Sequence, residues 1–155
     1  MSMRTLILAV PLAAAVLAAA ACGGGGGGNA SSTAARTEAT GGGGTTTVAG
    51  EAANDHGSKD VSGESEVKVE MDDFYFSPTV LTGKPGEKIT LELENEGKVE
   101  HNLTIESEHI NKDVEAGKSA MVDVTIPQSG TVAFYCKYHR SSGMAGGLAV
   151  ASSGY

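Results

Sequence analysis

Residues 136–144 have the sequence Cys136-Lys137-Tyr138-His139-Arg140-Ser141-Ser142-Gly143-Met144. The stretch places a thiol, an imidazole and a thioether at successive offsets of three and five residues. Taken singly, these side chains are more often core, surface or loop residues than ligands. Their combination makes the stretch a candidate for half of a metal site, which a distant imidazole would complete.

The candidate for the distant imidazole is His101, which precedes Asn102 in a separate alternating segment. Two His, one Cys and a weak axial Met form the ligand set of a copper electron-transfer centre. Zinc is the chief competing metal, but it prefers several Cys or His ligands to a thioether. We therefore predict one copper ion bound by His101, Cys136, His139 and Met144.

Apolar and polar residues alternate repeatedly after residue 66, without a sustained helical period. Turn-forming residues separate the alternating segments at 83–86, 95–97, 115–118 and 127–130. Short strands separated by such turns predict an all-β fold, an antiparallel β-sandwich with Greek-key connections.

The phase of the alternation directs two candidate ligands inward. Because successive side chains of a strand point to opposite faces, His101 shares the buried face with Leu103. Cys136 shares its face with Phe134 for the same reason. The strand pattern stops after Cys136, so a loop is expected to carry the remaining two ligands.

The N-terminal residues predict export. Residues 1–4 carry one positive charge, and residues 6–21 form an uncharged, Ala- and Leu-rich run that ends in small residues. This pattern is typical of a signal peptide, which we place at residues 1–21. Cys22 follows three Ala residues and resembles the modified Cys of a bacterial lipoprotein, so we predict a lipid anchor there. Cleavage without lipidation and an uncleaved anchor helix are the alternatives.

Residues 22–66 predict a lipidated Cys followed by a disordered linker. The segment contains two Gly runs with Ser, Thr and Ala, and it has too few large apolar residues to offset the entropy of ordering. The folded domain is therefore placed at residues 67–155. His56, inside the linker, is expected to be solvated, and His109 is expected to be exposed.

Charge and motifs exclude several functions. The chain has 11 Lys and Arg against 19 Asp and Glu, and loss of Arg4 with the leader leaves 10 − 19 = −9. Nucleic acid is not a plausible ligand of such an acidic chain, because the phosphate backbone is also negatively charged. No Ser-His-Asp arrangement, phosphate-binding Gly loop or carboxylate pair stands out, so no enzyme is predicted. A Cys22–Cys136 disulfide is not expected, because it would join a flexible tail to the core.

Residues 67–155 resemble a cupredoxin. The spacing of Cys136, His139 and Met144 is similar to the ligand loop of plastocyanins and pseudoazurins. Tyr138 departs from plastocyanins, which often have Pro before the loop His.

Two further segments carry the same resemblance. The pair His101-Asn102 is similar to the His-Asn pair at the first copper ligand of plastocyanins, where the second residue helps to constrain the thiolate sulfur. The segment 74–78 and the turn 83–86 resemble the early strands of small bacterial cupredoxins.

The resemblance implies a type 1 copper site with a distinct role for each ligand. Cys136 is expected to be the strong ligand and electronic link, His101 the buried imidazole and Met144 the weak axial ligand that tunes the potential. His139 is expected to be the exposed ligand whose ring edge admits and releases the electron. Lys137 and Arg140 flank it, so they either attract an acidic patch on a partner or are ordinary solvated charges.

We therefore predict a monomeric, membrane-tethered carrier of single electrons between redox proteins, on the periplasmic or outer face of the cell membrane. The alternative is an extracytoplasmic lipoprotein that binds and delivers copper. A saturated site with one Cys favours the carrier, because delivery proteins usually expose Met- or His-rich ligands. A metal-free structural sandwich ranks third.

Overall fold

The computed structural model describes residues 43–152, which form twelve β-strands and two short 3₁₀ turns. Among these residues, no helix has the length and apolar character required to cross a membrane. The strands are β1 (Gly44–Val48), β2 (Glu51–Asp55), β3 (Ser58–Asp60), β4 (Glu66–Asp72), β5 (Tyr75–Ser77), β6 (Val80–Gly83), β7 (Lys88–Asn95), β8 (His101–Ile105), β9 (Ile110–Val114), β10 (Ser119–Thr125), β11 (Thr131–Tyr135) and β12 (Ala145–Val150).

Two sheets enclose the core, as the predicted all-β sandwich requires. One has the strand order β10-β7-β4-β5, and the other has the order β3-β6-β12-β11-β8-β9. Strands β1 and β2 form a separate hairpin. The main core combines buried side chains of both sheets, such as Leu91 of the first and Phe134 of the second.

Strand β7 shows why these sequences form strands with one buried face. Ile89, Leu91 and Leu93 are buried, whereas the residues between them are partly exposed. Burial of each such side chain contributes roughly 1.5–3 kcal/mol relative to leaving it in water. A shift of the register by one residue would expose all three, so the alternation fixes which face packs inward.

The predicted antiparallel arrangement is wrong for three strand pairs. Strand β4 pairs in parallel with β7, and β6 pairs in parallel with both β3 and β12. Parallel neighbours need a crossover, and here the chain passes from β4 through β5 and β6 before it reaches β7. Alternation predicts the buried face of a strand but says nothing about its direction.

The predicted linker is wrong over its last part, because β1, β2 and β3 lie within residues 44–60. The two-residue loop Ala49-Gly50 has φ values of 48° and 90°, as the tightest hairpins require. Val48 and Ala53 then pack with Ala145 in a small second core. Composition concealed this hairpin because it buries only small side chains. The predicted signal peptide, Cys22 and the linker before residue 43 lie outside the described residues.

The two His residues outside the predicted site differ in their surroundings. His56 is half-buried rather than solvated, because its ring stacks on Tyr75 with centroids 3.5 Å apart. Its backbone N–H also donates to Oγ1 of Thr79 at 2.7 Å. His109 is exposed, as predicted.

Candidate metal centre

The topology places two of the predicted ligands at one end of the sandwich. His101 is the first residue of β8, and Cys136 follows the last residue of β11. The two strands are antiparallel neighbours through the pair Thr104 and Tyr135. Since antiparallel strands run in opposite directions, the start of β8 lies beside the end of β11.

Backbone hydrogen bonds fold the segment 136–144 back on itself. The N–H of Cys136 donates to the carbonyl of Met144 at 2.9 Å, which closes the two ends of the segment. Within it, the N–H of Met144 donates to the carbonyl of His139 at 3.2 Å. A 3₁₀ turn ends at Gly143, whose φ of 83° lies in the left-handed region that favours glycine. We call residues 136–144 the ligand loop.

Three of the four predicted ligands converge. Nδ1 of His101 lies 3.2 Å from Nδ1 of His139, which in turn lies 3.4 Å from Sγ of Cys136. The ligand atoms of all three residues lie within 4.8 Å of one another. Met144 is fully buried at the end of the same loop, and its role as the axial ligand stays a prediction.

The donor set fits copper. One sulfur and two imidazole nitrogens form the trigonal set of a type 1 site, in which soft sulfur suits Cu(I) and imidazole suits Cu(II). Among the described residues, this cluster includes no carboxylate of the kind that hard cations prefer. Cys136 is a free thiol and His101 is fully buried, so the fold rather than solvent sets the geometry of both donors.

Asp73 lies behind His101, on the side opposite the cluster. Its Oδ1 is 3.1 Å from Nε2 of His101, while Nδ1 of the same ring faces His139. Burial lowers the pKa of His101 below its usual value, and the hydrogen bond to Asp73 opposes that shift only in part. The imidazole is therefore held in the neutral form, which is the form that binds metals.

Asn102 connects β8 to the start of the ligand loop. Its buried side-chain amide donates to Oδ1 of Asn111 and to Oδ1 of Asp113, both at 2.8 Å. Its carbonyl oxygen accepts a hydrogen bond from Oγ1 of Thr104 at 2.6 Å and a longer one, of 3.4 Å, from the N–H of Lys137. Whether the backbone of Asn102 constrains the thiolate stays a prediction.

The two cations beside His139 are paired within the chain. Nζ of Lys137 lies 2.7 Å from Oδ1 of Asp113, and Nε of Arg140 donates to Oε2 of Glu51 at 2.8 Å. Hydrogen bonds from these cations lower the pKa values of Asp113 and Glu51. This pairing argues against an acidic partner patch as the counterpart of Lys137 and Arg140.

Two aromatic side chains flank the predicted exposed ligand, His139. Of the four large apolar residues that are exposed between residues 43 and 152, Phe74, Val99 and Tyr138 belong to loops at this end. The ring centroid of Phe74 lies 4.5 Å from that of His139, and the centroid of Tyr138 lies 6.3 Å from it. We call Phe74, Val99 and Tyr138 the apolar rim.

Sequence reasoning missed Asn54, which joins the hairpin to the site. Its Nδ2 donates to the carbonyls of Phe74 and Ser142, both at 2.9 Å, and its N–H donates to the carbonyl of Gly143 at 2.8 Å. It was missed because the segment was predicted to be a linker. Asp73 was also missed, although the adjacent carboxylates at 72 and 73 end an alternating segment and could have marked it.

Comparison with known proteins identifies the family. A family model described as a cupredoxin-like domain matches residues 45–150, a range that includes β2 and β3. The chain is 33% identical over 98 residues to plastocyanin A/B of Petroselinum crispum, with 56% of this chain and 99% of that protein covered. It is 30% identical over 99 residues to plastocyanin of Rumex obtusifolius, with coverages of 55% and 98%.

The chain also aligns with solved structures of other proteins. Reduced auracyanin from the photosynthetic bacterium Roseiflexus castenholzii aligns with a TM-score of 0.48 at 20% identity, covering 57% of this chain and 98% of that one. The chain belongs to the cupredoxin family of electron-carrying proteins, and its cofactor is a single type 1 copper ion.

Proposed function

We propose that this protein is a membrane-tethered carrier that passes single electrons between redox proteins outside the cytoplasmic membrane. One observation carries the electron-transfer part of this proposal: a thiol and two imidazole nitrogens lie within 4.8 Å of one another at the end of a β-sandwich. The relatives named plastocyanin support the same function.

His101, Cys136 and His139 would hold the copper ion, with Met144 as the weak axial ligand. The ion supplies a one-electron couple between Cu(II) and Cu(I). The buried donors are fixed by β8, by the end of β11 and by the hydrogen bonds of the ligand loop. A site held in this way changes little between the two oxidation states, which lowers the cost of reorganisation during electron transfer.

Electrons would enter and leave through His139. It is half-buried, whereas His101 and Cys136 are fully buried, so its ring is the most accessible of the three. Phe74 and Tyr138 of the apolar rim flank it and offer a partner a surface that is easily dehydrated. Because Lys137 and Arg140 are already paired, we propose that apolar contact rather than attraction to these cations brings the partner to His139.

The tether is proposed from the leader alone. Residues 1–21 have the pattern of a signal peptide, and Cys22 follows the small residues at its end. Two acyl chains on Cys22 would hold the protein at the membrane, where one chain would not. The intact mass of the mature protein tests this: a lipidated Cys22 terminus is expected, and a Met1 terminus would contradict it.

Addition of Cu(II) to the mature protein tests the proposed function as an electron carrier. We expect one copper per chain and an intense blue thiolate-to-copper absorption that disappears on reduction and returns on oxidation. Cys136→Ser is expected to remove the band while the circular dichroism of the strands persists. His109→Ala changes an exposed imidazole away from the site and is the matched control that keeps the band.

Two results would contradict the carrier. A band that survives in Cys136→Ser would refute the assigned sulfur ligand. A colourless protein that binds Cu(I) and releases it readily to a chelator would instead indicate copper delivery. Full burial of His101 and Cys136 favours the carrier, because exchange of copper with another protein needs accessible ligands.

A further inference from the structure

We propose that Asp73 is a positioning residue for the copper centre: its carboxylate keeps the proton of His101 on Nε2, leaves Nδ1 free for copper, and lowers the reduction potential. The inference deepens the proposed function and rests on its copper site.

The carboxylate of Asp73 is held in place from two sides. Its Oδ1 lies 3.1 Å from Nε2 of His101, whose ring is fully buried. Both of its oxygens lie 3.3 Å from the backbone N–H of Lys98. The Asp73 side chain is only 25% exposed, so water competes little for the contact with His101.

Gly97 permits this contact. A Cβ atom at position 97 would lie 2.6 Å from Oδ1 of Asp73 and 2.6 Å from Nε2 of His101. Both separations are far below van der Waals contact, so any side chain here would push the two groups apart. The N–H of Gly97 donates to Oδ1 of Asn95 at 2.9 Å, and this hydrogen bond holds the glycine next to Asp73 and His101.

The hydrogen bond settles which nitrogen of His101 carries the proton. A carboxylate only accepts hydrogen bonds, so the ring nitrogen that faces Asp73 must be the donor. A neutral imidazole has one N–H, which leaves the lone pair on Nδ1 directed towards His139 and Cys136. The fold thus selects the tautomer that the copper ion needs.

The same carboxylate biases the two oxidation states of copper. A negative charge on the outer nitrogen makes the imidazole a more basic ligand. The more highly charged Cu(II) gains more from a basic donor than Cu(I) does. Asp73 is therefore expected to lower the reduction potential, an effect that local burial strengthens.

Spectroelectrochemical titration of Asp73 variants tests the proposal. Loss of an outer hydrogen-bond partner commonly weakens metal binding by roughly 10–100-fold. If Asp73→Ala weakens the binding of Cu(II) by that factor and leaves the binding of Cu(I) unchanged, the reduction potential rises by about 60–120 mV, at 59 mV per tenfold change in affinity. Asp73→Asn is expected to raise it less, because the amide oxygen still accepts the hydrogen bond.

Asp72→Asn is the matched control. It removes an equal charge one residue away. Its amide oxygen can still accept the hydrogen bond from the N–H of Asp73, and its amide nitrogen can donate to the hydroxyl oxygen of Tyr75. We expect a much smaller rise than for Asp73→Ala. Gly97→Ala leaves every charge in place but separates Asp73 from His101, so it should raise the potential as Asp73→Ala does.

Nitrogen-15 NMR of the metal-free protein gives a readout that does not depend on copper. The wild type should show His101 protonated at Nε2, and Asp73→Ala should show a mixture of tautomers. Equal potential shifts in Asp72→Asn and Asp73→Ala, or a wild-type His101 protonated at Nδ1, would overturn the inference. Should the wild type form no blue centre, the proposed function fails, and the nitrogen shifts still decide the role of Asp73.

Discussion

Met144 is the residue whose proposed role depends most directly on chemistry at the metal. It is fully buried, and its carbonyl accepts the N–H of Cys136, so the backbone holds it at the site whatever its side chain. A thioether in the axial position is a weak donor whose identity tunes the potential.

Met144→Leu should keep the blue band and raise the reduction potential. Leucine conserves the volume of the side chain, a change that usually costs less than about 1.5 kcal/mol of folding free energy. Loss of the sulfur donor disfavours Cu(II), so the copper is more easily reduced. Redox titration measures the change, with Met121→Leu as the control because Met121 is exposed on β10. An unchanged potential in Met144→Leu would show that the thioether does not reach the copper.

The predicted ligands illustrate what residue patterns reveal. The alternation of strand residues correctly predicted that His101 and Cys136 are buried, because it determines the face of the strand on which each side chain lies. The contact between Asp73 and His101 was not predictable, since it joins the end of β4 to the start of β8 across 28 residues of sequence. Nothing local in either segment specifies that approach.

Among the elements, the β1–β2 hairpin has the least expected position. It packs beside β12 through Ala145 and reaches the ligand loop through Asn54. The same asparagine bonds the carbonyl of Phe74, next to the carboxylate that contacts His101. The hairpin therefore ties the ligand loop, which carries His139, to the β4–β5 turn, which carries Asp73.

Asn54→Ala is expected to destabilise the folded protein. It removes two side-chain hydrogen bonds, and a typical bond contributes about 0.5–1.5 kcal/mol, so the free energy of unfolding should fall by roughly 1–3 kcal/mol. Urea unfolding of the metal-free protein measures this loss. Thr45→Ala serves as the control, because Thr45 lies directly opposite Asn54 in the hairpin and is exposed. Equal stabilities for the two variants would show that Asn54 does not secure the loop.

The hairpin also shows where composition misleads. Residues 44–55 contain no large apolar side chain other than Val48. Because a segment with so few core-forming residues is typical of a disordered linker, composition predicts a linker here. Their order comes instead from a tight turn, a ladder of five residue pairs and side-chain contacts to distant loops. Of these three, only the side-chain contacts depend on the rest of the fold, and they could not be predicted from the sequence alone.

At the scale of the whole molecule, the sandwich places the residues of the candidate copper site at one end. The start of β8, the end of β11 and the β4–β5 turn meet there, together with the ligand loop. The class of fold was predictable from alternation and turns. The parallel pairs β4–β7 and β6–β12 were not, because strand direction depends on how distant segments assemble.

X-ray absorption at the copper edge tests the central claim, that His101, Cys136 and His139 bind one ion in a geometry set by the fold. For the oxidised protein we predict one sulfur and two imidazole nitrogens in the first shell, and the same donors after reduction with little change in distance. A first shell of nitrogen and oxygen without sulfur, or the loss of an imidazole on reduction, would contradict the account.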